Sequence, residues 1–194
     1  FDVVIFDDGL QDRNINYDLK IVCFDSENWI GNGYLIPSGP LREKIDSLKK
    51  YDIIFLKGEC INEEKIFRLI KDKNPEIKVF QTYYEAVNLN KFNVKNDYLI
   101  FSGIGNPNDF RNTLIKNNFN IVDEIIFPDH YEYKHEDIEK IKFTAKKLNA
   151  KIITTEKDYV KLSGKDTDNI DFLEIDLRIK NERDFINFIN PLIH

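Results

Sequence analysis

Eight short runs rich in β-branched and aromatic residues recur along this chain, and helical segments separate most of them. The runs are residues 2–6, 19–24, 53–56, 78–82, 98–101, 121–127, 151–154 and 172–175. The helical segments are 41–50, 63–73, 108–117, 136–149 and 182–189. Such alternation is compatible with few architectures. A strand pairs in parallel with the next only through a crossover, and the crossover helix then covers one face of the sheet. The pattern predicts an α/β fold: mostly parallel sheets with helices on both faces. No internal repeat or low-complexity linker interrupts it. A domain boundary is expected near Lys50 and Tyr51, where a loop-rich segment punctuated by Gly and Pro gives way to regular alternation. This divides the chain into 1–50 and 51–194.

With 194 residues, 42% hydrophobic and 32% charged, the chain can bury a sizeable core and is ordinary for a soluble protein. The net charge of −6 argues against a nucleic-acid partner held by bulk charge, so any basic site must be local. Cys23 and Cys60 stand in neither CxxC nor metal-ligand spacing and read as reduced, structural thiols of a cytoplasmic protein. No apolar run approaches the ~20 residues of a membrane span, and no signal peptide is visible. The chain contains no Met and begins inside a predicted strand, so a fragment whose upstream half is missing is expected.

The chemistry-bearing residues follow the strands. The first run ends in Asp7-Asp-Gly-Leu-Gln11. Adjacent carboxylates repel unless a cation or basic group lies between them, which suits a metal site; turn chemistry alone also accounts for Asp-Asp-Gly. Residues 26–40 form a long irregular stretch that ends Leu35-Ile-Pro-Ser-Gly-Pro40 and leads to Leu41-Arg-Glu43. Pro40 suits a first helical position, which places Arg42 in the first helical turn, either beside a bound anion or paired with Glu43 or Asp46. Ser102-Gly-Ile-Gly-Asn-Pro107 is a strand-to-helix turn with Asn108 or Asp109 as cap, although an empty tight turn reads the same way. His130, in Phe127-Pro-Asp-His130, is the histidine placed to act as a general base, or else as a structural hydrogen-bonder. Thr154-Thr-Glu-Lys-Asp158 reads as a helix cap with an ion-pair cluster. No GxxxxGK[ST] loop occurs.

Together and in this order, these five motifs resemble the tetraacyldisaccharide 4′-kinases of lipid A synthesis, in the part that begins at the magnesium-binding strand. The resemblance implies a P-loop kinase with a second α/β/α domain. It implies transfer of the ATP γ-phosphoryl group to the 4′-hydroxyl of a tetraacyl glucosamine disaccharide 1-phosphate, at the cytoplasmic face of the inner membrane. Asp7 and Asp8 then match carboxylates at the Mg²⁺ site, and Arg42 an active-site arginine serving a phosphate. Asn106 falls at the nucleotide. His130 matches a histidine that activates the sugar hydroxyl together with an aspartate from the upstream half. The phosphate-cradling loop and that aspartate would precede Phe1, so the chain alone is expected to be inactive.

Two other readings compete. Val4-Ile-Phe-Asp-Asp-Gly-Leu10 looks like the nucleophile loop of haloacid-dehalogenase-like phosphatases, with the second Asp one residue out of place. A non-catalytic nucleotide- or sugar-binding remnant would share the fold. The lipid acceptor adds one expectation, an apolar surface near Trp29, Ile30, Tyr34, Leu35 and Ile36.

Overall fold

The computed structural model describes residues 3–12, 14–58 and 63–192; Asp2, Cys60 and His194 lie outside them. The chain forms two compact units, one of residues 1–83 with 177–194 and the other of residues 84–176.

The first unit is built on β1 (Ile21–Asp25), β2 (Ile53–Lys57) and β3 (Lys78–Ala86). β1 runs parallel to β2, and β2 parallel to β3. Helix α1 (Glu63–Lys73) makes the crossover between the last two. Successive strand residues face opposite sides, so each face takes its own cover. Ile54 and Leu56 pack with Ile66 and Ile70 of α1 and with Leu48, Tyr51 and Ile77. On the other side Phe55 and Phe80 meet Phe185 of α5 (Glu182–Ile189), each at 5.3 Å between ring centres.

The second unit contains β4 (Asp97–Ser102), α2 (Pro107–Lys116), β5 (Asn120–Ile126), α3 (His135–Leu148), β6 (Lys151–Thr155), α4 (Glu156–Tyr159) and β7 (Ile170–Leu173). Its sheet has the order β5-β4-β6-β7, with all pairs parallel. Central β4 is buried on both faces, the usual state of a parallel strand between helices. Tyr98 and Ile100 pack with Phe110 and Leu114 of α2. Leu99 and Phe101 pack with Ile138, Ile141 and Ala145 of α3. A final strand, β8 (Ile175–Ile179), joins the first sheet, giving the order β1-β2-β3-β8.

Four expectations differ from this arrangement. Residues 3–6 form no strand: no described strand pairs with them, and Ile5 is 89% exposed. The segment 41–50 is helical only over Ile45–Lys50, as a 3₁₀ turn, because Leu41 is tied back to Leu35 by an isolated parallel bridge. The run 172–175 is two strands in different sheets. The break falls at Glu174, whose N–H donates to Asn88 Oδ1 and whose carbonyl accepts the Val87 N–H. Finally, the compact units do not divide at residue 50, since the β1–β2 ladder carries the sheet across that point.

Replacing Ile100, fully buried on β4, with Ala is expected to cost about 2–5 kcal/mol. Ile5→Ala, at an exposed position, should change stability by no more than about 0.5 kcal/mol. Urea unfolding of the two variants beside the parent chain measures both.

Candidate functional site

Parallel strands end on one edge of their sheet, and the turns at that edge are where such folds hold ligands. In the first unit two distant motifs meet. Asp8 pairs with the Arg42 guanidinium, and Gln11 Nε2 donates to Glu43 Oε1 at 3.4 Å. Asp8 adopts a φ of 56°, unusual for a non-glycine residue, and the following Gly9 carbonyl accepts from Tyr17 Oη at 2.7 Å and from the Asp12 N–H at 2.9 Å. These bonds hold the Asp-Asp-Gly turn, while Leu10 packs onto the unit's core. The Arg42 hydrogen bond and charge hold the Asp8 carboxyl below its usual range. Beside them, hydrogen bonding from Ser47, then Gln11 and Tyr51, keeps Glu43 ionised below the ordinary carboxylate range. Burial, with Glu43 adding to it, pushes the Tyr51 phenol up to about 12.

Arg42 therefore lies outside the 3₁₀ turn, and its partner is Asp8 rather than Glu43, Asp46 or a helix terminus. Asp46 pairs instead with Lys73 at 2.6 Å. Asp7 is exposed beside Asp8. At the edge of the sheet itself, Lys57 and Asp25 pair at 2.7 Å.

The loop before Arg42 is closed by its own polar groups. Asn32 Nδ2 donates to the Ser38 carbonyl at 2.8 Å, and Asn32 Oδ1 accepts the Tyr34 N–H at 3.1 Å. Gly39 is needed there, because a Cβ would collide with Asn32 Oδ1 and the Tyr34 carbonyl. Of the five apolar candidates, Trp29 packs on Phe24 at 4.7 Å and, with it, against the core. Ile30 is half-buried. Tyr34, Leu35 and Ile36 are exposed and line a shallow groove with Pro37 and Lys44.

In the second unit the turn after β4 meets the loop after β5. The Phe127 N–H donates to the Ser102 carbonyl at 2.8 Å and the His130 N–H to the Gly103 carbonyl at 3.2 Å. His130 has φ 59° and an exposed ring. The Asp129 carboxylate lies 3.8 Å from His130 Nε2 and 3.6 Å from Lys157 Nζ. Asn106 is the N-cap residue of α2, with Pro107 following, so the cap is neither Asn108 nor Asp109; its side chain makes no capping bond. Asp7, Asp8 and Arg42 thus belong to the first unit, and Asn106 and His130 to the second.

One functional-looking group was only partly legible in the sequence. Asp158, fully buried, accepts the Gly103 N–H at 2.8 Å and the Thr155 hydroxyl at 2.8 Å on Oδ2, and Lys161 Nζ at 2.8 Å on Oδ1. The Thr-x-x-Asp spacing announces the cap, and Thr155 does accept the Asp158 N–H. The bond to Gly103, 55 residues away, has no local signal. Tyr133, packed on Phe101, has its buried phenol pushed far up by desolvation and by the Asp158 charge.

Comparison with known proteins gives concordant results. The family model described as Tetraacyldisaccharide-1-P 4′-kinase matches residues 1–194. The tetraacyldisaccharide 4′-kinase of Pelagibacter ubique is 46% identical over 190 residues, which is 96% of this chain and 60% of that protein. That of Rickettsia bellii is 41% identical over 180 residues, 92% of this chain and 54% of that protein. The chain thus spans little more than half the length of these curated relatives. The crystal structure of LpxK from Aquifex aeolicus in complex with ATP shares the fold, with a TM-score of 0.63 at 21% identity over 96% of this chain and 56% of that one.

Burial opposes ionisation of Asp158, but Lys161, the Gly103 N–H and the Thr155 hydroxyl outweigh it and lower its pKa. A carboxyl with a lower pKa in the folded state adds stability above its unfolded pKa of ~3.9 and loses it as pH falls through the folded value. Asp158→Ala is therefore expected to cost about 3–5 kcal/mol at neutral pH. The gap from the parent should narrow below about pH 4 in a series of urea titrations.

Proposed function

The chain belongs to the tetraacyldisaccharide-1-P 4′-kinase family, and from that premise we propose that the enzyme transfers the γ-phosphoryl group of ATP to the 4′-hydroxyl of a tetraacyl glucosamine disaccharide 1-phosphate. Because the chain spans 54–60% of the first relatives, this is the activity of a polypeptide of their length. Membership over residues 1–194 sets the phosphatase reading aside. The observation that best supports the kinase reading is the convergence of Asp8 with Arg42 and of Gln11 with Glu43. It assembles an acidic and a basic group at one place from motifs more than thirty residues apart.

Phosphoryl transfer asks little covalent chemistry of a protein. It needs charge neutralisation, alignment and an oriented nucleophile. Asp7 and Asp8 are hard oxygen donors at one turn. Among the described residues no cluster of three or more His, Cys, Asp or Glu groups could form an all-protein metal cage. A pair of carboxylates fits Mg²⁺, which keeps waters and nucleotide phosphates as its other ligands. When bound, the ion would neutralise charge on the transferring phosphoryl group. Arg42 presents a planar fork to phosphate oxygens, and its present partner, a carboxylate, has the same geometry. Asn106 serves the nucleotide. His130, with its ring in solvent at a strand-following loop and the Asp129 carboxylate 3.8 Å from Nε2, accepts the proton of the sugar hydroxyl.

The exposed Tyr34, Leu35 and Ile36, with Lys44 beside them, suit an acylated acceptor at the inner-membrane surface, approached from the cytoplasmic face. No helix among the described residues is long and apolar enough to cross a membrane.

In the full-length enzyme with Mg-ATP and the lipid acceptor, His130→Ala should lower kcat about 10²–10⁴-fold. Asp8→Ala and Arg42→Ala should each abolish most of the turnover. Full activity in all three variants, or turnover by residues 1–194 alone, would sink this assignment of roles. Ile36→Asp should weaken sedimentation with anionic phospholipid vesicles, and unchanged binding would remove this loop from the membrane contact.

A further inference from the structure

Asp158 takes no part in the phosphoryl transfer just described, yet it is fully buried and binds the turn on which two site motifs meet. Its two oxygens divide their work. Oδ1 faces Lys161, whereas Oδ2 receives the Gly103 N–H and the Thr155 hydroxyl. Gly103 turns its other polar group to the His130 N–H, so one peptide unit away from Asp158 stands the backbone of His130, itself at φ 59°. The approach is close. A Cβ on Gly103 would lie 3.0 Å from Tyr133 Oη and 3.1 Å from the Pro128 carbonyl. Below the turn, Thr154 donates to the Phe101 carbonyl at 2.8 Å, so β4 and β6 are stitched together directly beneath it.

We propose that Asp158 is a positioning residue: through Oδ2 it fixes the Gly103 turn, and through that turn the loop that carries His130 and Asp129. The inference rests on the kinase reading for its consequence in catalysis, though not for the geometry it asserts. A group held in the left-handed region stays there only if its surroundings over-determine it. Here the surroundings are the Gly103 carbonyl and the Asp129 carboxylate, which both accept the His130 N–H, at 3.2 and 2.9 Å. The aromatic packing of Phe127 against Tyr131, 4.8 Å between ring centres, braces the same loop. The Lys161 contact on Oδ1 supplies charge balance and is separable from the positioning contact.

That separation gives the test. Asp158→Asn keeps size and shape but leaves one oxygen and one NH₂. With Lys161 present, the amide oxygen turns to the ammonium and the NH₂ opposes the Gly103 N–H. In the Asp158→Asn/Lys161→Met double variant the oxygen is released to accept from Gly103. The single variant should therefore lose hydrogen-exchange protection at the Gly103 amide and shift the His130 ring resonances. In the full-length enzyme it should lower kcat by up to about 10²-fold. The double variant should recover most of each, and Lys161→Met alone, though destabilised by the unbalanced Asp158 charge, should keep the His130 ring resonances of the parent. Unaltered Gly103 and His130 signals in Asp158→Asn, or a double variant no better than the single one, would overturn the proposal. Absence of lipid phosphorylation by the parent enzyme would instead overturn the kinase reading, and the Gly103 and His130 resonances would still decide the role of Asp158.

Discussion

The parallel ladder of β5-β4-β6-β7 is the constraint from which the second unit follows. A parallel strand pairs with its neighbour only if a crossover returns the chain to the start of the next strand. That requirement buries β4 on both faces, with Tyr98 and Ile100 on α2 and Leu99 and Phe101 on α3. It also delivers the turn after β4, the loop after β5 and the helix after β6 to the same edge. Gly103, Asp129, His130 and Lys157 meet there because the sheet leaves their segments no other place to emerge.

Two acidic groups show how differently a carboxylate can be used. Asp8 pairs with Arg42 in solvent, where water and salt weaken the attraction and an exposed pair adds little to stability. Such a pair is cheap to open, which suits the metal and phosphate roles proposed for these two residues. Asp158 is sealed from solvent and satisfied by the Gly103 N–H, the Thr155 hydroxyl and Lys161. Removing any one of these leaves a buried charge or dipole uncompensated, so the arrangement is rigid. The exposed pair can change partners at little cost, whereas the buried carboxylate cannot.

Much of this was legible from residue order. Periodicity located α1 and α5 at their observed bounds, and most strands to within a residue or two, because their apolar faces are long and regular. The motifs after the strands single out Asp8, Arg42 and His130 as candidates, and Thr-x-x-Asp announces the cap at Thr155. The misplaced pieces share a cause. Residues 3–6 have strand chemistry but no described neighbour to pair with, and strand propensity without a ladder leaves Ile5 in water. Residues 41–44 have helix-compatible chemistry, but Leu41 is held in its bridge to Leu35 and Lys44 is extended ahead of Ile45. The run 172–175 reads as one strand, and only Asn88, from another part of the chain, shows where it breaks.

Residue order alone carries the α/β class, most of the elements, the family and the residue types available for phosphate, metal and proton chemistry. These rest on local periodicity and on motifs, which neighbouring residues encode together. Which motifs touch is settled by the folded chain. Asp8 with Arg42, Gln11 with Glu43 and Asp158 with Gly103 are contacts between residues 32 to 55 positions apart. The physical reason is that side-chain partnership depends on where crossovers return the chain. That return is set by burial summed over whole sheets, a quantity no short stretch of residues contains.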